Sequence, residues 1–381
     1  MIRKGCPETG SPFKKMRQSE TKYVRLANLI REEIDSGKLK YGDKLYSENQ
    51  LCEMYGLSRQ TVRHAIESLT REGLLESVRG SGTYIGRSSV SHRSKHMNIA
   101  LISTHVDNYI FPMIIQGIVR TLTSAGYTTQ ISFTGNRVDE ERRILSQLVE
   151  HNDVDGVIVE ATKSALPNPN LNYYRQLQQM GVPILFFNCA YPELNLPVVS
   201  LDDQAVGEKA VRYLISRGHT RIAGIFKADD GQGKLRYTGY LNALMEAGIK
   251  IDDRRILWID TVDQNSLHKI RASVLNRLTD CTAVFCYNDQ VAFSLIKLLT
   301  RDGFKVPRQL SVMGIDGSEL STLSEPQITT IPHPLRELGV KCADNMLRMI
   351  TDPTFDGNYL YNPEIVEHDS VRTLTGEKND E

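Results

Sequence analysis

From residue 97 onward, short apolar runs alternate with amphipathic helical stretches, and that alternation leaves few folds open to the chain. The runs "NIALIST", "DGVIVEA", "VPILFF", "RIAGIF", "AVFCYN" and "SVMGID" are almost continuously hydrophobic, as strands buried on both faces are, and their alternation with helices predicts βαβ units and parallel sheets. Several of them end in a polar or charged residue: Glu160, Asn188, Lys227, Asn288 followed by Asp289, and Asp316. Ligands of open α/β sheets bind outside the carboxyl ends of strands, which makes these residues candidates for a binding cleft. For Glu160, Asn188 and Lys227, capping a neighbouring helix or facing solvent is an equally open reading.

The first quarter of the chain is built differently. "TKYVRLANLIREEIDSGKL" places Val24, Leu26, Ala27, Leu29, Ile30 and Ile34 on one broad apolar face, with Gly37 as a C-cap. A second helix opens at "SENQ", where Ser47 and Gln50 have capping-box spacing, and runs to Gly56. The third, "LSRQTVRHAIESL", turns Val62, Ala65, Ile66 and Leu69 inward and presents Arg59, Gln60 and Arg63 on the opposite side. Such a face is often merely solvated. Here it follows a helix and a tight turn, the arrangement of a helix-turn-helix, in which the N-terminal end of the second helix meets base edges and phosphates. Two short strands then flank the Gly-rich tip "RGSG", either an ordinary hairpin turn or a basic tip slim enough to approach a sugar-phosphate backbone.

Charge follows the same division. The chain has 381 residues and a net charge of zero, yet residues 1–96 hold 18 Lys and Arg against 11 Asp and Glu, and the remainder holds 28 against 35. A basic head on an acidic body suggests that the head meets a polyanion. The stretch "GRSSVSHRSKH" is polar, without hydrophobic period, and reads as a linker over 87–96. Residues 1–20 have the look of a disordered tail, and 374–381 of a short C-terminal one. No apolar run approaches the ~20 residues that span a bilayer, and the N-terminus has no apolar signal-peptide core. The six cysteines are scattered without a C-x-x-C pair or metal-ligand spacing, which fits reduced thiols in the cytoplasm and no metal site.

Over residues 21–86 the motifs "GKLKYGDKLYSENQL", "GLSRQTVRHAIESL" and "EGLLESVRGSGTYI" resemble the GntR-type winged helix of bacterial transcription regulators. That resemblance implies DNA contacts from Ser47, Glu48 and Asn49, from Arg59, Gln60, Thr61 and Arg63 on the recognition helix, and from Arg79, Gly80 and Ser81 in the wing. Residues 97–373, through "VVSLDDQAVGEKAVRYLISRGHTRIAGI", "KLRYTGYLNALMEAGI", "TAVFCYNDQVAFSLIKLLTRDGFKVPRQLSVMGID" and "LSEPQITTIPHPLRELG", are similar to the effector domain of LacI/GalR regulators. The fold implied is α/β: an N-terminal winged helix-turn-helix plus a two-lobed, periplasmic-binding-protein-like effector domain with parallel sheets and three crossovers. Its cleft takes a small molecule, usually a sugar. Matching positions imply Arg236, Asn288, Asp316 and His333 as polar ligands, His333 standing where Gln is more usual, with Tyr109 and Phe111 as an aromatic wall. Sugar hydroxyls both donate and accept, so a buried site needs the carboxylates, amides and arginine that the strand ends carry, and Glu160, Asn188 and Lys227 would complete that shell.

A GntR-type reader without the LacI hinge helix, joined to a LacI-type sensor, resembles the family of arabinose-responsive repressors. The implied partners are double-stranded operator DNA, L-arabinose as effector and a second copy in a C2 dimer. The same architecture could answer another sugar or a sugar phosphate, or activate. No cofactor is implied, and an enzyme is disfavoured. Gly233-Lys234 is followed by Leu235 where a phosphate-binding loop needs Ser or Thr, and neither G-x-S-x-G nor H-E-x-x-H occurs. A transport-binding protein would carry a signal peptide and no basic head.

Overall fold

The protein is described by a computed structural model over residues 22–35, 38–40, 42–71, 73–78, 81–86, 96–106 and 109–374. The expected tails, most of the linker, the Gly37 cap and two wing residues, Arg79 and Gly80, lie outside the described residues. The chain forms two compact units that divide between Lys95 and His96.

In the first unit, α1 (Lys22–Asp35), α2 (Glu48–Tyr55) and α3 (Arg59–Arg71) pack with a hairpin of β1 (Leu75–Val78) and β2 (Gly82–Ile85). Leu26, Ile30, Leu51, Val62, Ala65, Leu69, Leu75 and Ile85 close one small core. The capping box forms as its spacing predicts: Ser47 Oγ accepts the Gln50 N–H at 3.3 Å, and Gln50 Oε1 accepts the Ser47 N–H at 2.9 Å. Gly56 ends α2 with φ +66°, a left-handed cap that a side chain would strain. A single bridge from Lys44 to Tyr84 adds a third short strand to the wing.

The second unit holds two parallel sheets. The first lobe begins with β3 (Asn98–Ser103), α4 (Phe111–Ser124), β4 (Thr128–Phe133), α5 (Val138–His151), β5 (Gly156–Glu160), α6 (Leu171–Gln179), β6 (Ile184–Phe187) and β7 (Val198–Leu201). The second follows with α7 (Asp203–Ser216), β8 (Ile222–Lys227), α8 (Gly231–Glu246), β9 (Ile256–Ile259), α9 (Thr261–Asn265), α10 (Arg271–Leu278), β10 (Ala283–Cys286), α11 (Asp289–Arg301), β11 (Ser311–Met313) and α12 (Glu319–Leu323). The chain then returns to the first lobe through α13 (Leu335–Thr351) and β12 (Tyr359–Tyr361). Strand orders are β12-β7-β6-β5-β3-β4 and β11-β10-β8-β9. Every residue of β5, β6, β8 and β10 is buried, as their unbroken apolar runs require.

Three crossovers join the lobes: after β7, around His333, and after β12, where Val366 bridges back to Thr330. Two run side by side, since the Asp202 N–H donates to the Tyr361 carbonyl at 2.8 Å. Close packing of α7 on α8 then sets the site. A Cβ on Gly239 would lie 2.2 Å from the Gln204 carbonyl oxygen, and one on Gly207 2.5 Å from that of Arg236. Only glycine permits this approach, which brings Asp203 at the start of α7 against Arg236 on α8.

Ser47→Ala removes one acceptor of a helix N-terminus and is expected to cost the first unit about 1 kcal/mol. Ser47→Asp, which still caps, should cost much less. Urea unfolding followed on the first unit checks both, and equal stability of all three proteins would rule out the box as a contributor.

Candidate functional site

A cavity of about 90 Å³ lies where the lobes meet, lined from both sides. From the first lobe come Thr104, Tyr109, Phe111, Asn136, Glu160 and Asn188; from the second, Lys227, Asp230, Arg236, Gln264, Asn288 and Asp316, among others. All the expected ligands except His333 line it. The carboxyl ends of strands from both sheets converge there, which is why the polar residue after each apolar run was informative.

Its centre is a buried charge cluster. Arg236, 1% exposed, donates from Nε to Asp203 Oδ1 at 2.8 Å and from Nη1 to the Tyr287 carbonyl at 2.5 Å, while Nη2 lies 3.6 Å from Asp316 Oδ1. Burial opposes its charge, and Asp203 and Asp316 outweigh that, holding the guanidinium above its usual range. Asp316 is pushed up to about 6 by burial, against the pull of Arg236 and of the Tyr109 hydroxyl. That hydroxyl reaches Asp316 Oδ2 at 2.5 Å from the opposite lobe. Tyr109, therefore, is both wall and inter-lobe link.

Glu160 and Asn188 form a second group. Glu160 accepts from the Thr104 N–H at 2.9 Å and from the Thr104 hydroxyl at 2.5 Å on one oxygen, and from Asn188 Nδ2 at 2.8 Å on the other. Burial raises its carboxyl above the ordinary range. Neither residue caps a helix. Lys227 is also buried, paired at 2.7 Å with Asp230 Oδ2, which the Tyr287 hydroxyl approaches at 3.0 Å. Asn288 does cap: its Oδ1 accepts the Val291 N–H at 3.0 Å, leaving its Nδ2 as its donor. Among the described residues, Asn188 Oδ1, Gln264 Oε1 and Asp316 Oδ1 are buried without a hydrogen-bond partner. The cavity is rich in acceptors, and its two cations are already matched by aspartates.

Backbone strain gathers at the same place. Tyr109, Asn136, Asn188 and Asp316 have φ of +56°, +56°, +60° and +110°. Non-glycine residues adopt such angles at a cost of order 1–3 kcal/mol, and four of the eight among the described residues line this cavity.

His333 sits behind the cavity in the second crossover. Its backbone N–H donates to the Asp316 carbonyl at 2.9 Å, and its buried Nδ1 has no hydrogen-bond partner among the described residues. Burial, then Arg236, lowers its imidazole to about 3. Thr104, which closes the run "NIALIST", was missed although the strand-end rule reaches it; Asn136 and Thr261 lie beyond β4 and β9, strands that no unbroken apolar run marks. Gln264 and Gln290, on helices, gave no such signal.

In the first unit, Arg59, Gln60 and Arg63 are exposed on α3 as expected, along with Asn49. Arg63 pairs with Glu48, Nη2 to Oε2 at 3.1 Å and Nε to Oε1 at 3.3 Å, so two expected DNA contacts hold each other. The Thr61 N–H donates to Ser58 Oγ at 3.3 Å, capping α3, and Ser81 Oγ lies 2.6 Å from the Tyr84 hydroxyl at the wing tip. Ser47 is committed to its capping box.

A winged helix-turn-helix unit followed by a two-lobed unit with a polar inter-lobe cleft defines an effector-responsive transcription regulator. Residues 22–85 match the bacterial regulatory proteins of the gntR family, and residues 211–371 match the periplasmic binding protein-like domain. The chain is 36% identical over 371 residues to the arabinose metabolism transcriptional repressor of Halalkalibacterium halodurans, covering 94% of this chain and 99% of that one. It is 33% identical to the repressor of the same name from Geobacillus stearothermophilus, covering 93% and 98%. The fold is shared with the transcription regulator CcpA of Lactococcus lactis, with TM-score 0.65 at 19% identity over 72% of this chain and 99% of that one. The chain belongs to the family of these repressors, which are regulators and not enzymes. Among the described residues no helix is long and apolar enough to cross a membrane.

The depressed His333 gives a stability term with a definite sign. The imidazole stays neutral in the folded state down to about pH 3 while the unfolded chain protonates near 6.5, so its contribution is complete above pH 6.5 and is lost as pH falls below it. His333→Gln should therefore lose less stability between pH 7 and pH 5 than the wild type, by about 2 kcal/mol. Denaturant melts at the two pH values test this; parallel losses would contradict it.

Proposed function

We propose that this chain is a cytoplasmic repressor that binds operator DNA as a homodimer and releases it when an unphosphorylated monosaccharide, L-arabinose, closes the cleft of the second unit. In this reading residues 21–86 read DNA, 87–96 connect, and 97–373 bind effector and pair the two copies. The regulated genes are those of arabinose or pentose use, in keeping with the names of the two repressors to which the chain is similar.

The observation that carries the effector class is the charge balance of the cavity. Lys227 and Arg236 are each paired with aspartate, and the lining acceptors Asn188 Oδ1, Gln264 Oε1 and Asp316 Oδ1 have no hydrogen-bond donor among the described residues. Hydroxyls supply donors. A phosphate would bring further negative charge with no unpaired Lys or Arg among the described lining residues to meet it, an unfavourable exchange in a buried site. The small cavity suits one sugar ring, with Tyr109 and Phe111 against its apolar edge. Closure shifts the lobe equilibrium only by the difference in sugar affinity between the open and closed arrangements, and that shift is what would move the two heads off their half-sites.

Calorimetric titration with L-arabinose, D-xylose, D-ribose, D-galactose and arabinose 5-phosphate tests the effector. L-Arabinose should bind and lower the affinity for DNA selected in vitro. Binding of the phosphate ester alone would overturn the reading.

For the head, Arg59→Ala should cost about 1–3 kcal/mol on selected DNA and little on random sequence, as expected of an arginine that reads a base. Wild-type affinity should fall with salt by a log-log slope near −0.9 per phosphate contacted. An equal loss on both DNAs would reduce Arg59 to a phosphate contact.

A further inference from the structure

The lobes also meet outside the cavity. On the first lobe, Ser164 Oγ accepts the Gly231 N–H at 2.9 Å and the Ala165 N–H donates to the Asp229 carbonyl at 3.3 Å; Lys234 Nζ donates back to the Ala165 carbonyl. Gly231 is the first residue of α8, one of the positions whose N–H has no acceptor within its own helix. The preceding Asp230 gives no side-chain cap, being engaged by Lys227 and Tyr287. The helix is thus capped from the other lobe. The fit is close: a Cβ on Gly231 would come within 2.5 Å of Cys189 Sγ and 3.5 Å of Ser164 Oγ, both first-lobe atoms.

The loop that makes these contacts is held rigidly from behind. Glu141 on α5 is wholly buried and accepts from the Tyr174 and Tyr191 hydroxyls on one oxygen, each at 2.7 Å, and from Asn168 and Asn170 on the other, at 2.7 and 2.8 Å. The Tyr191 hydroxyl also stands 2.8 Å from the Thr162 carbonyl. At the near end Lys163, with φ +47°, donates its N–H to Asn136 Oδ1 at 2.8 Å, and Asn136 Nδ2 reaches across to Thr261 Oγ1 at 2.7 Å. A buried carboxylate with four neutral donors and no cation is an expensive way to fix a loop, and the loop it fixes is the one that touches the other lobe.

We propose that residues 162–170, anchored by Glu141, form an inter-lobe latch outside the effector cavity that favours the closed arrangement by capping α8 in trans, and so sets the amount of effector needed. This rests on the reading of the cleft as an effector site. Ser164 and Lys234 do not line the cavity, so changing them leaves the ligand's own contacts in place. Because apparent affinity scales with the closed fraction, losing one of these contacts should weaken effector binding by up to about fivefold.

The test uses the full chain and the variants Ser164→Ala and Lys234→Met. Hydrogen exchange without sugar should be faster in both at residues 229–234 and unchanged in strands β5 and β8, and the dissociation constant for L-arabinose should rise, by up to about fivefold. Unchanged exchange at 229–234 in both variants would overturn the latch, as would faster exchange with unchanged sugar affinity. Faster exchange in variants of a protein that does not bind L-arabinose at all would keep the latch and remove the assigned effector.

Discussion

The second unit is organised around one buried guanidinium. Arg236 reaches from α8 to Asp203 in the first crossover and toward Asp316 beyond β11, and Asp316 is met by the Tyr109 hydroxyl from the other lobe. Taking these charges out of water is costly, and replacement by apolar residues would often be as stable, so the cluster is poor evidence for stability and good evidence for a required geometry. Helix α8 can deliver the guanidinium there because Gly207 and Gly239 let α7 and α8 touch. The crossovers, the two sheets and the cavity all share this point.

The cavity inherits its chemistry from that arrangement. Because the cations are consumed by protein carboxylates, what remains toward the interior is mainly acceptor oxygens, the complement of a polyol. The same interior bonds make the lobes interdependent: Tyr109 to Asp316 within the cavity, Asn136 to Thr261 at its rim, Ser164 to Gly231 outside it. A ligand that adds contacts to both lobes acts on an interface already provided with polar contacts, so a small differential affinity can move the equilibrium. In the first unit the logic is more local. One capping box, a left-handed glycine, the Ser58 cap and a small core hold α3 in place, and the exposed arginines are left to the solvent side.

Much of this was legible in the chain. Unbroken apolar runs can only be strands buried on both faces, which gave the parallel sheets. The polar residue after each run gave Glu160, Asn188, Lys227, Asn288 and Asp316, all of which line the cavity. Ser47 and Gln50 were recognisable because a capping box is defined by spacing. Other features had no such signature. Asn288, expected as a ligand, caps α11 with its Oδ1; Glu48 and Arg63, expected as separate DNA contacts, are paired across fifteen positions. Asp202 and Asp203 stand side by side at the start of α7, yet only Asp202 caps, accepting the Ala205 N–H at 3.0 Å, while Asp203 pairs with Arg236.

The sequence by itself determined the buried strands β3, β5, β6, β8, β10 and β11, the helices and capping box of the first unit, and that a basic reader precedes an α/β sensor, because periodicity, capping and charge are written in near neighbours. Only the tertiary structure decided which polar groups pair with each other and which are left for a ligand. Asp316 and Tyr109 are 207 residues apart, and Ser164 and Gly231 are 67 apart. Whether a carboxylate faces a cation, a hydroxyl or a cavity is fixed by where two sheets and three crossovers bring distant backbones together, and local sequence carries no record of that distance.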